Sequence, residues 1–269
     1  MRGFYVTHAV AYPSLYMEPS ADRRLEIGQL IRDKYGGNID ADVREDVARL
    51  DAGEPLAYVI GWVPFLGLAI RLDSRPLIPR PETEWWTEEL IAYLKDKYGT
   101  KEFTLLDLCA GSGAIGLAVL NACSGARVSF GEIMPAHADL IRTNLTENNL
   151  DEARADIRTG DLFEAFPAER FDLIVTNPPY VPSGRVLDPS VTQHEPAGAL
   201  YAGGDGLDLI RRIALEAKDY LSPSGELWIE ADIDNVAQTG LLLKENGAAN
   251  IEMRTDLYGR PRLVVGYYA

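Results

Sequence analysis

The feature that most constrains this chain is a change of period at Phe103. From there on, short apolar runs at 103–108, 128–131, 171–176 and 226–229 alternate with helix-like stretches around 115–122, 135–148 and 207–221. Strands that alternate with helices return to one sheet in parallel through right-handed crossovers, so an α/β architecture is expected. The closing segment breaks the pattern. Residues 250–254 and 262–267 flank the turn Tyr258-Gly259-Arg260-Pro261 and read as a hairpin, which adds an antiparallel last strand to the parallel sheet.

Ahead of Phe103 the pattern is of a different kind. Two short amphipathic patterns, Leu25/Ile27/Leu30/Ile31 and Val43/Val47/Leu50, are separated by the breaker Gly36-Gly37-Asn38 and the expected cap Asp40, which predicts a small helical unit. Runs at 58–63 and 68–72, joined through Pro64-Phe65-Leu66-Gly67, predict a β-hairpin. Pro79 and Pro81 forbid a continuous helix before Pro81, which itself suits the first position of a helix reaching about Lys97. A domain boundary is expected near residues 73–76: residues 1–75 form a small helical domain with a linking hairpin, and residues 76–269 the sheet domain.

Charge and composition exclude several classes. With 41 acidic against 26 basic residues the net charge is −15, which repels a polyanion and makes nucleic acid a disfavoured substrate. Cys109 and Cys123, with His8, His137 and His194, are too scattered for a metal cluster or disulfide framework, so no metal is expected. The first seventeen residues lack a charged start followed by an apolar run, and nowhere do eighteen apolar residues follow one another. A cytoplasmic location without membrane attachment is the expectation.

Asp107-Leu108-Cys109-Ala110-Gly111-Ser112-Gly113 follows a strand and opens a helix, where glycine lets backbone approach a nucleotide-like ligand. A tight turn without a ligand would look the same. Glu132 ends the next strand, nineteen residues after Gly113, and can accept both ribose hydroxyls, a demand common to NAD and S-adenosylmethionine. Asp107 leans toward the second, because a carboxylate there favours the cationic sulfonium and amino end; its alternative is a loop-capping aspartate. Gly160-Asp161-Leu162-Phe163 closes the edge strand, with Asp161 facing an adenine amino group and Leu162 packing on the ring.

The most specific motif is Asn177-Pro178-Pro179-Tyr180, at the carboxyl end of the strand 171–176. Two prolines give a stiff segment with carbonyls free to accept, so the Asn177 side-chain oxygen and the Pro178 carbonyl can converge on one NH2 group, with Tyr180 as a flat face. An amide nitrogen is a poor nucleophile and needs orientation plus acceptors that meet its developing positive charge, not a metal or a strong base. Asn177 borders the cofactor as well as the substrate. Residues 181–206 lack periodicity and are expected to border the substrate channel and to order when substrate binds, with Glu195 and Pro196 as their fixed point.

Several stretches, in order, resemble the HemK-type release-factor glutamine methyltransferases over nearly all of residues 53–269. They are residues 53–61, 77–84, 107–113 and 177–180, then His194-Glu195-Pro196, and Gly203-Gly204-Asp205-Gly206-Leu207. The resemblance implies a Rossmann-like class I methyltransferase sheet and S-adenosylmethionine as cofactor. It implies as acceptor the side-chain amide nitrogen (N5) of a protein glutamine, that of the Gly-Gly-Gln motif of peptide chain release factors. It also implies that Asn177, Pro178, Pro179 and Tyr180 bind the glutamine, that Cys109, Ala110, Gly111, Ser112, Gly113 and Glu132 bind the cofactor, and that the N-terminal helices dock the protein substrate. Arg80 and Glu195, inside two of these motifs, are carried as further substrate contacts. Cys109 and Glu132 stand where the family often has glycine and aspartate. The same tetrapeptide serves ribosomal-protein glutamine methyltransferases, from which residues 79–84 and 256–262 separate this chain, and adenine-N6 DNA methyltransferases, against which the charge counts. An NAD oxidoreductase would need a hydride-transfer partner that is not evident, and an inactive module would be expected to have lost Asn177 or the glycines.

Overall fold

The structure, a computed structural model, describes residues 21–269; the readings made on the first seventeen residues and on His8 lie outside the described residues. The chain divides into two compact units between Gly61 and Trp62.

The first unit carries α1 (Ala21–Lys34), α2 (Arg44–Asp51) and α3 (Leu56–Ile60). Past the end of α1, Gly36 and Gly37 take φ of 60° and 82°, and the Gly37 N–H donates back to the Ile31 carbonyl at 2.9 Å. Asp40 does not cap α2. The helix starts later, and Asp42 Oδ1 accepts from the Arg44 N–H at 3.2 Å. Buried Asp46 on α2 accepts from Lys34 Nζ at 2.8 Å and from the Tyr35 hydroxyl at 2.7 Å. The run 58–63 is mostly helix rather than strand. Pro55, with φ −57°, sets its entry and Gly61, at φ 95°, ends it; a short apolar run fits either period, and the flanking proline and glycine decide.

The second unit opens with the expected hairpin, shifted by a few residues: β1 (Trp62–Phe65) and β2 (Leu68–Arg71). Leu66 and Gly67, with φ of 45° and 82°, form a two-residue turn with both residues at positive φ, which matches strand twist. The hairpin groups with the sheet, so the division falls ahead of the boundary expected near residues 73–76. Beyond it come α4 (Pro81–Tyr98), β3 (Phe103–Leu108), α5 (Ala114–Ala122), β4 (Ala126–Glu132), α6 (Pro135–Glu147), β5 (Ala155–Thr159), β6 (Phe171–Thr176), α7 (Pro189–His194), α8 (Asp208–Tyr220), β7 (Leu221–Glu230), α9 (Val236–Glu245), β8 (Asn250–Thr255) and β9 (Pro261–Tyr267). Among the described residues the main sheet has the order β5-β4-β3-β6-β7-β9-β8, parallel except for β9, which runs antiparallel to both neighbours. Its central strands are covered on both faces. Leu105 and Leu173 belong to one apolar cluster with Trp86 and Leu117, and the adjacent Leu106 and Ile174 belong to another with Ile210 and Leu227.

The strand register determines which residues share the carboxyl edge of the sheet. Leu108 pairs with Gly131 and with Thr176, and Thr176 pairs with Ile229. The next residue on each strand is Cys109, Glu132, Asn177 and Glu230, so these four share one row at that edge, where Glu132 and Glu230 are the last paired residues of their strands and Cys109 and Asn177 have just left theirs.

Between β3 and α5 the backbone turns over a buried carboxyl. Asp107 is 0% exposed and its Oδ2 accepts from the Gly116 N–H in the first turn of α5 at 2.9 Å. Burial pushes the Asp107 pKa from 3.8 up to about 8, with the Gly116 N–H opposing and the charge of Glu132 adding. A group whose folded pKa is raised binds its proton more tightly when folded. Its stabilising contribution is whole below pH 3.8 and is lost as pH rises through about 8. Urea denaturation across this range is expected to show the native protein losing stability relative to Asp107→Asn up to about pH 8 and levelling beyond. Parallel curves would show that Asp107 titrates normally. Gly116 also sets the packing of α5 on the sheet, since a Cβ there would lie 2.4 Å from Phe130 Cε1 and 2.9 Å from Val128 Cγ1. Overpacking of about 1–3 kcal/mol, toward its upper end in a contact this close, exceeds the roughly 1 kcal/mol that alanine gains in helix propensity. Gly116→Ala should therefore lose about 1–2 kcal/mol in the same assay.

Candidate functional site

A cavity of about 560 Å³ opens at the carboxyl edge of the sheet. The strand order reverses between β3 and β6, and open α/β sheets bind ligands at such a switch point. The walls come from the turn after β3 (Cys109 to Ser112), from Glu132 and the exposed Ile133 after β4, from Asp161 and Leu162 after β5, and from Asn177 and Pro179 after β6.

The turn after β3 is bent by Cys109, Gly111 and Gly113, with φ of 60°, 56° and 79°. A Cβ on Gly113 would also meet Ile141 Cγ2 at 3.0 Å, so α6 leaves room for glycine alone. Glu132 holds the turn open: its Oε2 accepts from the Gly111 N–H at 2.8 Å and its Oε1 from the Met134 N–H at 2.9 Å. A carboxylate offers about four acceptor sites, so each oxygen keeps acceptor capacity. Fully buried Asn144 on α6 donates to the Ser112 carbonyl at 2.9 Å and accepts from the β2 Arg71 N–H at 2.7 Å, tying the turn to the hairpin. Burial first, then the charge of Glu132, push the Cys109 thiol up to about 12. Asp161 lines the cavity and pairs with Arg212 on α8 at 3.0 Å, beside the buried Leu162.

The Asn-Pro-Pro-Tyr segment is held at its Asn177 end by Thr83 and at its Tyr180 end by Glu230, a residue that sequence reasoning missed. Glu230 is 1% exposed. Its Oε2 accepts from the Thr83 hydroxyl and the Trp86 indole, each at 2.7 Å, and its Oε1 from the Tyr180 hydroxyl at 3.0 Å. Asn177 Nδ2 donates to Thr83 Oγ1 at 3.2 Å, whereas Asn177 Oδ1 is buried with no partner. Burial raises the Glu230 pKa against these hydrogen bonds, and burial with the charge of Glu230 pushes the Tyr180 phenol well above its ordinary range. Thr83 stood in plain view inside residues 79–84. The signal for Glu230 was the one that found Glu132, an acid immediately after an apolar strand.

The site residues read from the sequence therefore divide. Cys109, Ala110, Gly111, Ser112, Glu132, Asp161, Leu162, Asn177, Pro179 and Glu195 line the cavity. Asp107, Gly113, Pro178, Tyr180 and Arg80 stand behind its walls, Asp107 beneath the turn and Tyr180 against Glu230. Buried Glu195 accepts from Arg80 at 2.6 Å and from the Ile78 N–H at 3.2 Å. Residues 181–206 have more regular structure than their lack of periodicity suggested: α7, a 3-10 turn at Ala197–Ala199 and a bridge between Val181 and Tyr201. Among the described residues there is no cluster of metal-ligating side chains, and no helix is long and apolar enough to cross a membrane.

Comparison with known proteins identifies the family. Residues 86–199 match the methyltransferase small domain. The release factor glutamine methyltransferase of Bordetella pertussis is 36% identical over 232 residues, covering 85% of this chain and 83% of that protein. The protein of the same name from Xylella fastidiosa is 38% identical over 218 residues, covering 80% and 76%. Among solved structures, a 16S rRNA N2 methyltransferase of T. thermophilus, in complex with AdoMet and guanosine, superposes with a TM-score of 0.54 at 21% identity over 77% of this chain and 50% of that one, and shares the fold. The sheet with its antiparallel β9 is thus a class I methyltransferase sheet, and the chain belongs to the release factor glutamine methyltransferase family.

Proposed function

We propose that this methyltransferase uses S-adenosylmethionine to methylate the side-chain amide nitrogen (N5) of a glutamine, that of the Gly-Gly-Gln motif of a peptide chain release factor, in the cytoplasm. Residues 76–269 carry the chemistry in this reading, and the helical residues before them dock the protein substrate. The observation that carries it is the buried, unpartnered Oδ1 of Asn177, a residue that lines the cavity. Leaving a buried acceptor unpaired costs about 1–3 kcal/mol, and a substrate NH2 group satisfies it.

The residues present suit the cofactor. The bent turn from Cys109 to Gly113 exposes backbone to a nucleoside with no diphosphate, Glu132 keeps acceptor capacity for ribose hydroxyls, and Asp161 with Leu162 offers an acceptor and an apolar surface for adenine. When bound, S-adenosylmethionine supplies an electrophilic methyl on a sulfonium. The protein's own work is positioning. Asn177 Oδ1 accepts an amide N–H and meets the positive charge that develops on the nitrogen, which is where preorganised dipoles contribute most, while Pro178 stiffens the segment from behind the wall. Pro179 and the Leu162 side narrow the cavity and keep water from the nitrogen. The proton finally released from nitrogen passes to an acceptor oxygen or to solvent, so no strong base is needed.

Incubating the protein with labelled S-adenosylmethionine and a purified release factor, then mapping peptides by mass, should place the label on the glutamine of Gly-Gly-Gln; label on a DNA oligonucleotide instead would overturn the reading. Asn177→Ala should lower single-turnover methylation by roughly 10²–10³-fold, as loss of one preorganised partner does, while cofactor affinity measured by calorimetry hardly moves. Glu132→Ala should do the converse, weakening cofactor binding by about 1–3 kcal/mol, and NAD should not compete.

A further inference from the structure

Asn177, which lines the cavity, keeps its Oδ1 as a free acceptor only if its amide is held one way round, and nothing in the amide's shape selects that way: the two ends are nearly isosteric, and hydrogen-bond partners decide between them. The partner here is the Thr83 hydroxyl, which owns a single proton. That proton is committed. The Thr83 hydroxyl donates to Glu230 Oε2 at 2.7 Å, on the oxygen that also receives the Trp86 indole N–H, a group that can only donate. Toward Asn177, then, Thr83 Oγ1 has only lone pairs, and it accepts from Nδ2 at 3.2 Å. Turning the amide over would set Oδ1 against Oγ1 with no proton between them. It would also point an NH2 at the incoming NH2.

We infer that Thr83 and Glu230 are positioning residues: Glu230 fixes the direction of the Thr83 hydroxyl, and the hydroxyl fixes the amide of Asn177 with Nδ2 engaged and Oδ1 left as the free acceptor. The inference rests on the proposed role of Asn177 as acceptor for the substrate amide. Glu230 fits the part because it and its partners come from three separate parts of the chain. Thr83 and Trp86 lie on α4, Tyr180 closes the tetrapeptide, and Glu230 itself ends β7. One carboxylate thereby ties residues 177–180 to helix and sheet, directly at Tyr180 and through the Thr83 hydroxyl at Asn177.

The test uses Thr83→Val, Thr83→Ser, Glu230→Leu and Glu230→Gln in the full chain. Valine keeps the shape of Thr83 but removes its oxygen. Glutamine at 230 keeps an acceptor for Thr83 and Trp86 and turns its NH2 to the Tyr180 oxygen. Turnover of the release factor should fall roughly tenfold in Thr83→Val, the scale of one lost hydrogen bond, with cofactor affinity within about twofold of the native protein. Thr83→Ser and Glu230→Gln should recover most of the rate, and Glu230→Leu should not. A purely structural role would move stability and cofactor binding alike, and would not be rescued by serine. Independently of any substrate, the side-chain NH2 signals of Asn177, assigned by 1H–15N correlation in the free protein, should shift in Thr83→Val and stay in Thr83→Ser. Unchanged turnover or unchanged NH2 signals in a folded Thr83→Val protein overturn the relay. If the native protein methylates no release factor, the functional reading falls while the NH2 signals still decide the orientation.

Discussion

Everything at the site depends on the parallel hydrogen-bond register of β4, β3, β6 and β7. Within the sheet each backbone group is spoken for by a neighbouring strand, and side chains alternate between two apolar layers. At the carboxyl edge that pattern ends, and Glu132, Cys109, Asn177 and Glu230 lie side by side in one row. A shift of a single residue in any of these strands would turn its polar residue away from the others. The apolar density of the strands is therefore also what aligns the chemistry.

The second constraint is the cost of burying Glu230. A carboxylate taken out of water is expensive unless its lone pairs are met, and here three donors meet them. Removing any one of the three leaves a charge short of a partner, which makes the arrangement stiff. Glu195 repeats the device at another wall, with Arg80 and the Ile78 N–H as its donors. The Asn144 amide does the same with neutral groups under the turn after β3. The cavity is thus shaped by buried polar groups whose partners come from distant parts of the sequence.

That distance explains what the sequence disclosed and what it withheld. The strands, the turn from Asp107 to Gly113 and the tetrapeptide were legible because each is a local pattern with a local cause: apolar alternation, glycine at positive φ, paired prolines. The contacts of Asp107 and Tyr180 were not. Both residues lie in the right motifs but turn to buried partners, Gly116 and Glu230, instead of lining the cavity. Thr83 and Glu230 are separated by 147 positions, and only the folded chain brings them to 2.7 Å. The misread helix α3 shows the opposite limit, since a five-residue apolar run carries too few positions for either period to prevail. Residues 181–206 kept their short helix hidden because its start depends on Asp188, whose side chain accepts from the Ser190 N–H.

Cys109 stands in the wall of a cavity proposed to hold an alkylating reagent, a position where a reactive sulfur would be a liability. Sulfur attacks carbon electrophiles as the thiolate, and a thiol whose pKa is pushed up to about 12 carries almost none of that form at neutral pH. Burial and the negative neighbour Glu132 both favour the thiol over the thiolate, so a methyl donor in the proposed site would face the less nucleophilic form of this sulfur.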